Sequence, residues 1–212
     1  MLFALAVQLS VPTVTHVPVP DVRALFSADD VPDYLVRQGE VDRTVYTRTT
    51  VRPDGTTEGC VAATSSGDPT LDAYTCALIL KRAKFLPARW IDGSAVYGVI
   101  RVPVRWQVTD SPSGNSPDTI VADLDLSVNH LPKGAHQSVL VELQVAADES
   151  GRPVSCEGWT PAPGSHGKRF PELIPIACEQ ATASVVLTPP ADPSGKPMRS
   201  VQIVSVRFKA DK

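Results

Sequence analysis

The feature that most limits how this chain can fold is an internal repeat. One pattern of apolar alternation, turn, cysteine, proline and glycine occurs twice at matching offsets. In the first copy Val45, Thr47, Thr49 and Val51 alternate ahead of Pro53-Asp54-Gly55, and Cys60 follows five residues after that glycine. In the second copy Val141, Leu143, Val145 and Ala147 alternate ahead of Glu149-Ser150-Gly151, and Cys156 follows at the same distance. Cys76 precedes Pro87 by eleven residues and Gly93 lies six further on; Cys178, Pro189 and Gly195 repeat both spacings. The apolar alternation Val102, Val104, Trp106 corresponds to Val204, Val206, Phe208. Only the stretch between the paired cysteines differs, being longer in the second copy.

Each copy reads as strand, tight turn, strand, helix, strand. Glycine supplies the positive φ that hairpin turns need. Leu71, Thr75, Leu78 or Ile79, Arg82 and Phe85 recur at helical spacing after the turn Ser66-Gly67-Asp68-Pro69, and Pro87 is expected to stop that helix. Side chains alternate faces along a strand, so the apolar even positions from Ile100 to Val108 predict one buried face and one wet one. A single helix over a three-stranded antiparallel sheet is the simplest cover for the buried face. The expected fold class is therefore α+β: two tandem small domains, each a three-stranded antiparallel sheet packed by one main helix. The expected boundaries are 1–21 for a signal peptide or N-terminal tail, 22–108 for the first domain, 109–118 for a linker and 119–212 for the second, degenerate copy. Asp30-Val31-Pro32 predicts a short lead-in helix before the first copy. Leu124, Leu126 and Val128 alternate with Asp123, Asp125 and Ser127 and read as one additional strand. Pro103 cannot donate to a ladder, which places its strand at a sheet edge.

Four cysteines, one pair at equivalent places in each copy, fit two disulfides in an oxidising compartment. The repeat selects Cys60–Cys76 and Cys156–Cys178, since each unit should close on itself. Free thiols are the alternative; a zinc site would want closer ligand spacing and nearby histidines. Residues 1–14 are mostly apolar and end at Pro12. They are too short for a bilayer-spanning helix. They read either as a secretory h-region with Ala4-Leu5-Ala6 as a cleavage site or as an N-terminal tail. The cysteine pattern favours export from the cytoplasm.

The set Val51-Arg52-Pro53-Asp54-Gly55, Ser65-Ser66-Gly67, Leu71-Asp72, Phe85-Leu86-Pro87-Ala88 and Val102-Pro103-Val104-Arg105-Trp106 resembles the C-terminal domain of TonB, the energy transducer for outer-membrane receptors. The likeness covers about residues 27–108, and more weakly about 136–209. The resemblance implies a periplasmic domain whose last strand exposes an edge. Such an edge offers unpaired backbone donors and acceptors that an extended receptor segment completes. By position, Tyr97, Val99, Arg101, Pro103 and Arg105 would form that peptide-binding edge, with residues 201–208 as the counterpart in the second copy. Transducers of this family also carry a membrane anchor and a Pro-rich spacer, and this sequence shows neither; force transmission is therefore the weaker part of the expectation.

Net charge is -3 with no run of Lys or Arg, so no nucleic-acid partner is expected. No cofactor or metal is expected either. His16, His130, His136 and His166 are scattered, and no nucleophile elbow, metalloprotease helix or phosphate loop is present. Asp123 and Asp125 share one face of their stretch and read as a solvated face rather than as paired acids. Trp90 and Trp159 are candidate recognition residues, whereas Trp106 is in the buried phase. The expected function is non-enzymatic binding of an extended protein segment. The alternative is an assembly module whose repeats pair edge to edge, within the chain or in a homodimer.

Overall fold

The first apolar alternation forms β1 (Asp42–Val51), and the turn at Gly55 returns the chain as β2 (Thr57–Thr64). These strands pair antiparallel. Helix α2 (Pro69–Arg82) follows, after a one-and-a-half-turn lead-in helix α1 (Asp33–Gln38) earlier in the chain. A short β3 (Ala88–Arg89) and the long β4 (Ala95–Gln107) complete the first half. The second half runs in a similar order, with β6 (Ser138–Ala147), β7 (Pro153–Gly158), α3 (Ile174–Ser184) and β8 (Ser200–Ala210), preceded by the extra strand β5 (Leu124–Val128). This computed structural model describes residues 25–39, 41–108, 120–135, 137–159 and 170–211. The proposed tail at 1–21 and linker at 109–118 lie outside them.

The expected class, α+β, is what the chain adopts. The sheets, however, are not separate. Among the described residues all strands join one eight-stranded sheet in the order β2-β1-β4-β8-β6-β7, with β3 on β4 and β5 on β8. The junction is a parallel pairing of the two closing strands, Tyr97↔Ser200, Gly98↔Val201 and Val99↔Gln202. Paired residues point to the same face. Gly98 shares the α2 face with Ile100 and Val102, so Val201 and Ile203 of β8 point there too. They belong with Ala146 to the core under α2. The even residues Val204, Val206 and Phe208 point the other way, into the core under α3. The two helices thus cover opposite faces of one sheet.

Helix α2 starts where the sequence says it should. Asp68 caps it, accepting from the N–H groups of Thr70 and Leu71, and Pro69 opens its first turn. It ends at Arg82, five residues before the expected stop at Pro87, because Ala83 is already extended. The chain there is drawn to the hairpin turn: Phe85 N–H donates to the Gly55 carbonyl at 2.9 Å, and Lys84 bridges Thr56. Phe85 is buried after all, but from outside the helix. Leu71, Thr75 and Ile79 are fully buried, as their spacing requires. Trp106 is core as expected, with its indole N–H on the Thr75 hydroxyl at 2.9 Å and its ring edge-on to Phe26.

Candidate functional site

Both cysteine pairs expected from the repeat are disulfides. Cys60 on β2 joins Cys76 on α2, and Cys156 on β7 joins Cys178 on α3, with Cα separations of 5.4 and 5.6 Å. Each bond fastens an outer strand of the sheet to the helix covering it.

The expected docking strand needs correcting. Tyr97 and Val99 do not lie on an open edge, since β1 flanks β4 on one side and β8 pairs with it on the other. They are 5 and 6% exposed. Arg101 is 7% exposed, its guanidinium tied to the chain segment just before β5. Only Pro103 and Arg105 of the proposed set are exposed, and Arg105 is held by Asp42 through two hydrogen bonds of 2.7 and 3.0 Å. Pro103 sits opposite Tyr46 of β1, beyond the stretch where β8 pairs. The expectation that Pro103 places its strand at a sheet edge is therefore overturned: β4 lies inside the sheet between β1 and β8, and Pro103 only falls past the three residues that pair with β8. The parallel pairing, set by residues over a hundred positions apart, could not be read from either strand.

Past Val99 the closing strands diverge, and residues 120–128 fill the fork. Val121 N–H reaches the Thr64 hydroxyl on β2, and the Arg101 guanidinium donates to the Val121 carbonyl at 3.0 Å. Asp123 then receives Arg48 and Arg101, one on each carboxylate oxygen at 2.6 Å. The same side chain accepts the Ser205 N–H, and the Asp123 N–H donates to the Ser205 carbonyl, each at 2.8 Å. One residue thereby takes the place of a ladder rung between diverging strands. From Leu124 onward the segment becomes β5, parallel to β8 from Leu124↔Val206 to Val128↔Ala210. Leu124, Leu126 and Val128 pack on the α3 core. Asp125 faces the other way, 3.1 Å from Lys209 and 3.7 Å from Arg207, and Arg207 also donates to the Ile120 carbonyl. The sequence marked Asp123 and Asp125 as one face but took it for a solvated one. The basic residues that meet them come from β1, β4 and β8, and no local signal connects them.

Burial governs titration beside the fork. Glu142 of β6 titrates above the usual carboxylate range because burial disfavours its charge; Arg101 opposes that rise and Asp123 adds to it. Tyr46 is raised by burial first and by the Glu142 charge second. A second polar cluster holds α1 to α2. The Tyr34 hydroxyl donates to Asp68 at 2.8 Å; burial first, and that bond second, push the phenol up to about 12. Asp68 also meets Arg43 at 3.3 Å. At the far end of α2 Arg82 grips Asp30 with bonds of 2.6 and 2.8 Å. Trp90 is half-buried under the Arg199 guanidinium, 4.9 Å from the ring centroid, so it joins the halves rather than lying open. Trp159 packs against the first core. Among the described residues no group of three or more His, Cys, Asp or Glu is placed to hold a metal ion, and His130 is exposed. His16, His136 and His166 lie outside the described residues. No described helix is long and apolar enough to cross a membrane.

Residues 32–108 match the family model described as Gram-negative bacterial TonB protein C-terminal. That segment carries a TonB C-terminal domain. Domains of this family are non-enzymatic energy-transducer domains associated with the envelope, and they interact with proteins such as outer-membrane receptors. No curated protein and no solved structure matches the chain.

Proposed function

We propose that the protein is a TonB-like, non-enzymatic protein of the periplasm that binds extended segments of a protein partner by strand pairing, in the service of envelope transport. The family match and the two disulfides support that compartment. The observation that carries the binding reading is β5. A closing strand of this fold already holds an extended segment in parallel register, Leu124–Val128 on β8. Among the described residues no strand pairs with β4 on the equivalent side beyond Val99. An outer-membrane receptor segment that displaced residues 120–123 from the fork would meet the backbone of residues 100–104 and complete that ladder. Residues 119–212 are read as a degenerate second copy of the domain.

The test is an NMR titration of the isotope-labelled chain with peptides from the N-termini of outer-membrane receptors. Amide shifts confined to residues 100–108 are expected. Unchanged amides there, with every such peptide at millimolar concentration, would refute docking on β4. A second reading has its own support, since Tyr97–Val99 and Ser200–Gln202 pair with each other and hide part of both edges. In that reading the repeat is an assembly module. Full exchange protection of β4 on both sides, together with a stable homodimer in sedimentation, would favour it.

A further inference from the structure

The two disulfides occupy equivalent places but are not equally reachable. Cys76 of the first is 8% exposed, on a helix face that also buries Leu71, Thr75 and Ile79. Both cysteines of the second are half-buried, and both line an open groove of about 490 Å³ between β7 and α3. Val154 and Ser155 line it from the strand; Glu179, Thr182 and Ala183 line it from the helix. No described strand lies outside β7 to cover that side. We propose that Cys156–Cys178 is an exchangeable bond, reduced through this groove by a dithiol protein, and that α3 is the element it switches. The assignment rests on the groove and the disulfides, not on the strand pairing proposed above.

The exchange balances with the dithiol as its only co-reactant. A thiolate of the dithiol attacks one sulfur of the pair, forms a mixed disulfide and expels the other cysteine as a thiolate, which takes up a proton. The second thiol of the reductant then attacks the mixed disulfide, releases the remaining cysteine and closes the reductant's own disulfide. Two electrons and two protons pass from the dithiol to the pair. Little else holds the middle of α3. Before it, Leu173 is buried and Ile174 fills the space over Gly158. After it, Leu187 is buried and its N–H donates to the Gly151 carbonyl at 2.8 Å. Between those anchors only Ala177 and Ala181 are buried. Reduction therefore loosens residues 178–185 and uncovers part of a core that holds Val145, Val204 and Val206 beside the two alanines. The first half, with its capped and better-packed helix, stays closed. The thiol state of the surroundings then sets how much apolar surface the second half offers.

The probes are dithiothreitol and a purified dithiol protein of the thioredoxin type, each added to the full oxidised chain without denaturant. Thiols are trapped by alkylation at intervals and assigned by peptide mass mapping. Cys156–Cys178 should open about tenfold faster than Cys60–Cys76, at a rate proportional to reductant concentration. Hydrogen exchange at amides 178–185 should then rise while α2 stays protected, and reoxidation should reverse the change. Thr182→Trp, at an exposed position on the groove, should slow the protein reductant about tenfold and dithiothreitol about twofold. If that variant fails to fold, the two pairs of the unaltered chain still decide the test. Equal rates for the two pairs, a rate independent of reductant concentration, or reduction of neither pair would overturn the exchange. Unchanged hydrogen exchange at 178–185 after reduction would overturn the switch. An unaltered rate in folded Thr182→Trp would overturn entry through the groove.

Discussion

The two halves share a frame and differ in how their helices are held to it. Helix α2 spans fourteen residues, has a side-chain cap at Asp68 and buries Leu71, Thr75, Leu78 and Ile79. Helix α3 spans eleven, has no side-chain cap and buries only Ala177 and Ala181. The first half adds the Tyr34 and Arg43 contacts to Asp68, the Ser65 and Ser66 contacts to Asp72, and the Thr75–Trp106 bond. The second half puts its resources elsewhere, into β5 along the edge of β8. The lesson is that equivalent helices can sit in equivalent places with unequal security. With fewer buried side chains and no side-chain cap, α3 is expected to depend more than α2 on its disulfide.

The sharpest way to break that comparison is to remove each bond in turn. Replacing both cysteines by serine should cost about 3 kcal/mol in either half on loop-closure grounds, because the two loops differ little in length. The consequences should differ. Without Cys156–Cys178, α3 amides should lose hydrogen-exchange protection while α2 stays protected; without Cys60–Cys76, α2 should remain docked on its buried apolar face. Equal loss of protection in both helices would show that the packing difference is without effect.

A second test asks whether the frame itself is equivalent. Gly55 and Gly151 have φ of 83° and 82°, and each lies under a carbonyl of the segment that follows its helix. The Gly55 carbonyl accepts from Phe85 N–H and the Gly151 carbonyl from Leu187 N–H. A β-carbon at either place would strike the Phe85 or Leu187 carbonyl oxygen. Gly55→Ala and Gly151→Ala should each destabilise by about 2 kcal/mol or more, combining the positive-φ penalty with the clash. Chemical denaturation measures both. A large cost in one half only would mean that the turns are not doing the same job.

The smallest expected effects lie in pH dependence, and they have opposite signs. Asp30 is held well below the ordinary carboxylate range, first by the Arg82 hydrogen bond and next by the Ser27 N–H. A depressed carboxyl binds fewer protons folded than unfolded. Its stabilisation is complete above the usual pKa of 3.8 and is lost as pH falls below it. Glu142 is raised by burial, so its contribution favours folding in acid and is lost as pH rises through its folded pKa. Asp30→Asn should therefore flatten the acid limb of a stability profile. Glu142→Gln should stabilise at pH 7 by less than about 1 kcal/mol and change nothing at pH 3. Melting temperatures across that range check both signs.

Much of this molecule was legible before folding because it depends on neighbours in sequence. The period-two runs through Val45 and Val102 placed β1 and β4, the Asp68-Pro69 pair placed the start of α2, and the cysteine offsets placed both disulfides. The misreadings share one cause. Pro87 was expected to end α2, but the helix stops where the hairpin at Gly55 captures Phe85. Tyr97 and Val99 were expected on an open edge, but β8 arrives from about a hundred residues away to cover them. Asp123 was expected in solvent, but Arg48, Arg101 and Ser205 meet it from three different strands.

What the chain's order of residues determined was each unit taken alone: its strands, turns, helix, sulfur bond and buried face. These follow from local periodicity and from spacing that is the same wherever the unit sits. How the units meet was decided only in three dimensions. Two closing strands of similar pattern pair in parallel, turn their helices to opposite faces and leave a fork that one aspartate bridges. Backbone ladders carry little side-chain code, so which edges join is settled by the shape and charge of surfaces that exist only after each half has folded.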